Sequence, residues 1–213
     1  MHTLYLITGS NGEGKSTVGP DYLPEVIRSQ HVVFDGDKLY TGKVSGLWPQ
    51  QKKSLKDAKK IAAKFIVENL ETLLDKANEN QEDFIYEGHF PSYATWDFPK
   101  QFKQNGYISH MLFLALEDVN LSEMRVRLRA KKGGHNVPLY DIENNFYGNL
   151  EMLNEHYYLL DFLQIVDTSN FLPRPLATFK GTKLISSVQK KELPEWFAKL
   201  LPVLTDKILL QKN

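Results

Sequence analysis

The chain has 213 residues, 42% of them hydrophobic, which is enough apolar material for one sizeable core. Lys plus Arg and Asp plus Glu balance at 26 each, so no overall field favours nucleic acid or an anionic membrane as a partner. Cys is absent, which excludes disulfides, thiolate metal ligands and thiol nucleophiles. No stretch approaches the ~20 apolar residues of a membrane span, and the N-terminal run is too short for a signal-peptide core, so a cytoplasmic address is expected.

Leu4-Tyr5-Leu6-Ile7 reads as a buried strand of a parallel sheet, and it runs straight into Gly9. A helix should start after Lys15, cut short by Gly19-Pro20. His31-Val32-Val33-Phe34 is a second short strand, closing on Asp35-Gly36-Asp37, after which Gly and Pro mark a loop through Pro49. From about Leu55 to Ala77 apolar residues recur at helical spacing. Phe84-Ile85-Tyr86 reads as a third strand and Tyr93 to Gln104 as a short helix ended by Asn105-Gly106. Ile108 to Leu116 is a fourth strand, Asp118 to Lys132 an Arg-rich helix, and Leu139 to Phe162 a long helix. Leu163 to Val166 is a fifth strand. Leu176 to Ser187 reads as a β-hairpin turning at Gly181-Thr182, and Pro194 opens a final helix through about Leu210.

Strands alternating with helices predict an α/β fold of the P-loop NTPase type, with a five-stranded, mainly parallel sheet and helices on both faces. A small C-terminal hairpin and helix complete it. Residues 1–213 are expected to form one domain, with a core to about residue 170 and an addition from about 171.

The loop Gly9-Ser10-Asn11-Gly12-Glu13-Gly14-Lys15-Ser16, followed by Thr17, carries the strongest chemical signal. Its Gly residues allow the backbone to wrap a polyphosphate with N–H groups pointing inward, and the next helix adds its positive dipole end. Lys15 would reach the β- and γ-phosphates of ATP or GTP, and the Ser16 hydroxyl would ligate Mg²⁺. Asn-Lys-x-Asp, expected of a guanine-specific switch, is absent, as is the Leu-Ser-Gly-Gly of ABC-type ATPases. Leu112 to Asp118 mimics the acidic strand end of such ATPases but reads better as a buried strand followed by a helix-capping acid. A small-molecule kinase needs a substrate-binding carboxylate and additional cations. Asp35, Asp37 and Glu87 sit at strand ends on the ligand edge of the sheet; of these, Asp37 lies further past its strand and is expected to be the base. Arg125, Arg127, Arg129, Lys131 and Lys132 crowd one helix, with Gly133-Gly134 as a plausible lid hinge.

The order of P-loop, Asp35-Gly36-Asp37, Glu87-Gly88 and Gly133-Gly134-His135-Asn136-Val137-Pro138 resembles the zeta-toxin-like P-loop kinases, in their bacterial chromosomal branch. Asn149-Leu150 and Asp167-Thr168-Ser169 continue the resemblance, which covers roughly Leu4 to Ser169. It implies an ATP- and Mg²⁺-dependent kinase whose acceptor is a UDP-activated amino sugar and which a small antitoxin inhibits. It also implies Asp37 as the base and Glu87 as a substrate contact. Asp35, His89 and His135 are further substrate candidates, with Arg125 and Arg127 as catalytic cations beside Lys15. Two stretches depart from the pattern. Relatives commonly carry Thr after Glu-Gly, and the toxins an Arg soon after, where this chain reads His89-Phe90-Pro91. Chromosomal relatives tend to carry an Arg run where this chain reads Glu143-Asn144-Asn145-Phe146. A nucleotide-binding or hydrolysing switch, or a degenerate relative acting through a protein partner, stays open beside the kinase reading.

Overall fold

The computed structural model describes residues 2–48, 54–133 and 137–210. Seven strands form one sheet in the order β2-β3-β1-β4-β5-β6-β7. β1 (Thr3–Gly9), β2 (Phe34–Asp35), β3 (Phe84–Gly88), β4 (Ile108–Ala115) and β5 (Phe162–Asp167) are parallel. β6 (Arg174–Lys180) and β7 (Lys183–Ser187) are antiparallel and extend the sheet beyond β5. The expected five-stranded sheet is therefore corrected to seven: the C-terminal hairpin, turning at Gly181 with φ 54°, is part of the sheet and not an appendage.

The central strands are apolar on both faces because helices cover both. Leu4 and Leu6 of β1, with Met111 and Phe113 of β4, enter the larger cluster; Ile7, Leu112 and Leu114 enter the smaller one. This alternation is the two-residue period of a strand. Helices α4 (Leu55–Asn80), α5 (Tyr93–Gln104), α7 (Leu139–His156), α8 (Glu195–Leu200) and α9 (Pro202–Leu210) pack around the larger cluster, with Trp96, Phe146, Phe179 and Phe197 almost wholly buried. The smaller one lies under Leu23 and under Ile27 of α2 (Glu25–Gln30).

Several boundaries differ from those expected. α1 (Lys15–Val18) lasts four residues before a 3₁₀ turn, Gly19–Tyr22; the shortening at Gly19-Pro20 was expected. Gly19 packs so closely on Ile7 that an added Cβ would lie 2.6 Å from Ile7 Cγ2. β2 keeps only Phe34 and Asp35, with His31 to Val33 outside the ladder. The segment read as a loop after Asp37 is instead α3 (Gly36–Leu47), because Asp35 caps it, accepting from Lys38 N at 2.9 Å. α7 ends at His156, followed by a 3₁₀ turn, so Phe162 belongs to β5. The single C-terminal helix divides at Leu201, since Pro202 starts α9. α6 (Val119–Lys131) is capped by Asp118, which accepts from Leu121 N at 2.8 Å, as the capping-acid reading required. No helix among the described residues is long and apolar enough to cross a membrane.

Candidate functional site

The carboxyl ends of β1, β2 and β3 meet the N-terminal parts of α1 and α3 and one side of α6 around a cavity of about 580 Å³. Asn11, Gly12, Gly14, Lys15, Ser16 and Thr17 line it from the phosphate loop, Asp35, Asp37, Lys38, Thr41 and Gly42 from β2 and α3, Glu87 from β3, and Arg125, Arg129 and Val137 from the opposite side. Another cavity, of about 520 Å³, lies along the outer edge of β2 and β3 against α3 and α4; it shares only Asp35 and Lys38 with the first and contains no part of the phosphate loop. The loop cavity is therefore the one that gathers the candidate site residues.

The loop takes its shape from three left-handed glycines. Gly9, Gly12 and Gly14 have φ of 137°, 79° and 89°, values that side-chain-bearing residues rarely adopt. At Gly12 a Cβ would stand 3.0 Å from Arg125 Cβ and 3.2 Å from Ser122 O, so α6 also needs glycine there. The loop is bonded from two helices. Ser122 Oγ donates to Asn11 O at 2.6 Å and lies 3.3 Å from Ser10 Oγ. Arg125 donates to Gly12 O at 3.4 Å and to Ser169 O at 2.9 Å, tying the loop to the end of β5. Asn145 of α7 donates to Asn11 Oδ1 at 2.9 Å. One turn on, Asn149 Oδ1 accepts from Phe90 N at 2.6 Å, so α7 bridges the phosphate loop and the segment after β3.

Lys15 Nζ donates to Ser10 O at 2.7 Å and Gly9 O at 3.2 Å. Burial pushes its ammonium below the ordinary lysine value, while Glu13, Glu87 and Asp37 oppose that shift. Ser16 Oγ donates to Glu87 Oε1 at 2.6 Å. Burial lifts Glu87 above the ordinary carboxylate value, partly offset by that bond. Thr17 Oγ1 bonds back to Gly14 O at 3.3 Å. Glu13 is 3% exposed, and burial raises its carboxyl to about 8.

Asp35 is the helix cap of α3 and faces the cavity edge. Asp37, one residue into the helix, has an 80% exposed side chain whose Oδ2 stands 3.7 Å from His89 Nε2. Both His89 ring nitrogens are buried, and burial holds the imidazole below its ordinary value, against the opposing pull of Asp37. At Gly88 an added Cβ would clash with Cε1 of the Tyr86 ring.

The structure brings together Lys15, Ser16, Asp35, Asp37, Glu87, Arg125 and Arg129 around one cavity. Arg127 stands outside it: paired with Glu123 at 2.5 Å, its side chain is 70% exposed. His135 and Gly134 lie outside the described residues. Lys38, Thr41, Ser122 and Asn145 were not singled out as site residues; for Asn145 the available signal was its position in a stretch departing from the family pattern. The three glycines, the inward lysine and the adjoining hydroxyl fit a Mg²⁺-polyphosphate: backbone N–H groups and Lys15 can hold phosphate oxygens, and Ser16 with Glu87 offers oxygens suited to a hard cation.

The solved AvrRxo1-ORF1:-ORF2 structure with ATP superposes with a TM-score of 0.69 at 13% identity, covering 94% of this chain and 64% of that one. The native AvrRxo1-ORF1:-ORF2 complex gives 0.64 at 14% identity, with 97% and 66% covered. A structure of the PezAT chromosomal toxin-antitoxin system of Streptococcus pneumoniae gives 0.59 at 18% identity, with 98% and 83% covered. At such identities the likeness shows the fold, and this chain spans only 64% of the length of the AvrRxo1 chain solved with ATP. No curated protein matches the sequence. The family model described as zeta toxin matches residues 2–172, a span that carries the phosphate loop, Asp37, Glu87 and the cations of α6; the chain belongs to the zeta toxin family.

Proposed function

We propose that the chain is a single P-loop kinase-like domain of the cytoplasm that transfers the γ-phosphoryl group of ATP, or GTP, to the hydroxyl of a small molecule, with nucleotide sugars as the acceptor class. The observation that carries this reading is that Lys15, Ser16, Glu87 and Asp37 line one cavity at the carboxyl edge of a parallel sheet. The loop N–H groups hold the β- and γ-phosphates. Lys15 would exchange its bonds to the Gly9 and Ser10 carbonyls for phosphate oxygens, and Ser16 with Glu87 would hold the metal. Mg²⁺, when bound, neutralises charge on the transferring group. Asp37 accepts the proton of the acceptor hydroxyl and aims it in line with the γ-phosphate. Arg129 and Arg125 supply the further cations that charge build-up in the transition state requires. A small antitoxin protein is the proposed partner, by analogy with the toxin-antitoxin system to which the pneumococcal structure belongs.

A second reading has the chain hold nucleotide and act through that partner without transfer. It is favoured by the ties on its cations. Arg125 is bonded to two carbonyls and Arg127 to Glu123, leaving Arg129 as the cavity-lining cation of α6 not so committed among the described residues. Release of ADP, measured with and without a panel of nucleotide sugars, separates the two. Release stimulated by an acceptor supports transfer; binding of ATP with no release under any condition supports the second reading.

A further inference from the structure

An acid in a phosphate-binding loop is electrostatically out of place, and Glu13 is not turned to solvent to relieve it. Its side chain folds under the loop toward the end of β1. Its carboxyl and the Leu114 carbonyl of β4 together fill the side of Gly9 where a Cβ would stand. Oε2 is buried and makes no hydrogen bond, and the Ser10 backbone bonds the carboxyl. The charged groups facing Glu13 are Lys15 on its own loop and Arg125 on α6; Lys15 in turn faces Glu87 of β3, Asp37 of α3 and Arg129 of α6. An ionised carboxylate here would be unsolvated at one oxygen, would hold Lys15 against the loop, and would repel a polyphosphate bound above it. The neutral acid brings no charge to desolvate, to hold Lys15 or to repel phosphate; it is an uncharged wedge under Gly9.

We propose that Glu13 is a proton-linked positioning residue: in its neutral form it supports the phosphate loop, and polyphosphate binding keeps a proton on it. This rests on the loop being the nucleotide site. Burial puts the carboxyl at about 8, against the opposing pull of Lys15 and Arg125. Bound polyphosphate engages those cations and adds negative charge, which moves the carboxyl higher still. Between the two values nucleotide binding takes up a proton, so affinity falls as pH rises, by at most about tenfold per pH unit. Well below the lower value the acid is neutral in both states, and its contribution does not vary with pH.

Calorimetric titration of ADP, without divalent metal, into the full chain at pH 7, 8 and 9 tests this, using buffers of different ionisation enthalpy for the wild type and Glu13→Gln. Lys15, with its ammonium pushed down by burial, also takes up protons when phosphate binds, and the Gln variant separates its part from that of Glu13. The wild type should show proton uptake at pH 8 to 9 and lose affinity across that range; Glu13→Gln should show less uptake and a flatter profile. Equal uptake and equal slopes in the two proteins overturn the inference and leave nucleotide binding intact. Absence of ADP binding to the wild type at every pH overturns the nucleotide-site reading, and the inference with it. Should the variant not fold, the ADP-induced rise in the wild-type unfolding midpoint serves instead. It should shrink from pH 7 to 9, and a constant rise overturns the proposal.

Discussion

Replacing Glu13 by Gln should stabilise the folded protein by an amount that grows as pH rises from 4.5 to about 8. The carboxyl has an ordinary value of 4.5 and sits at about 8 in the folded chain because burial disfavours its charged form. The folded state therefore keeps a proton that the unfolded state has already released. The contribution to stability is fully present below pH 4.5 and is lost as pH rises through the folded value, at about 1.4 kcal/mol per pH unit. By pH 8 the accumulated loss is about 4 kcal/mol, a large part of the ~5–15 kcal/mol that holds a typical domain together. Gln has nearly the same shape and does not ionise. Urea unfolding of both proteins at pH 5, 6, 7 and 8 reads the difference directly, and groups that titrate independently in both proteins cancel from it. The expected result is a variant advantage rising by about 1 kcal/mol or more per unit over this range. An advantage that does not change with pH would mean that Glu13 is charged in the folded protein at neutral pH, and the account of the loop floor would fail.

Arg129→Ala should lower turnover at least about tenfold by removing a cation from the cavity wall, while Arg127→Ala should stay within about twofold because that side chain pairs with Glu123 outside the cavity; steady-state kinetics of both variants checks this, and equal losses would refute the division. Asn145→Ala removes the donor to Asn11 Oδ1 and should cost about 1 kcal/mol of stability while weakening ATP binding, seen by denaturant unfolding and by titration; unchanged ATP affinity would show that the bridge from α7 does not set the loop. Asp35→Ala removes the cap of α3 and should cost about 1 kcal/mol with a far smaller loss of transfer than a change at Asp37; the reverse order in a transfer assay would exchange the roles given to the two acids.

Much of the frame was legible because its signals are local. Leu4 to Ile7 runs into a glycine loop, β4 is a continuous apolar stretch, and Gly181 marks the hairpin. α3 was missed because Gly42 and Gly46 read as breakers; an added Cβ would meet nothing within 4 Å at either, so no steric need for glycine explains them. The cap at Asp35 and packing of α3 against α4 outweigh their cost. That β6 would add to β5 could not be read from the hairpin itself, since pairing of Leu163 with Phe179 or Ile165 with Ala177 is a tertiary choice. In the site, Arg125 and Arg129 are four residues apart and share a helix face, whereas Arg127 lies on the other side; that division was available from the spacing. The supports of the phosphate loop were not. Ser122 reaches Asn11 across 111 residues and Asn145 reaches it across 134; nothing local to Ser122 announces such a contact, and Asn145 was marked only by lying in a stretch that departs from the family pattern. The burial of Glu13 was also hidden, because the motif specifies the glycines, the lysine and the serine and leaves that position open.

The most direct test of phosphoryl transfer from this cavity follows γ-labelled phosphate from ATP to an acceptor identified from the nucleotide-sugar panel, comparing wild type with Asp37→Asn across a range of Mg²⁺ concentrations. With Asp37 as the base, transfer should fall by roughly 10²–10⁴-fold at every Mg²⁺ concentration while ATP affinity barely changes. Transfer near the wild-type rate in Asp37→Asn would contradict the account and place the base elsewhere.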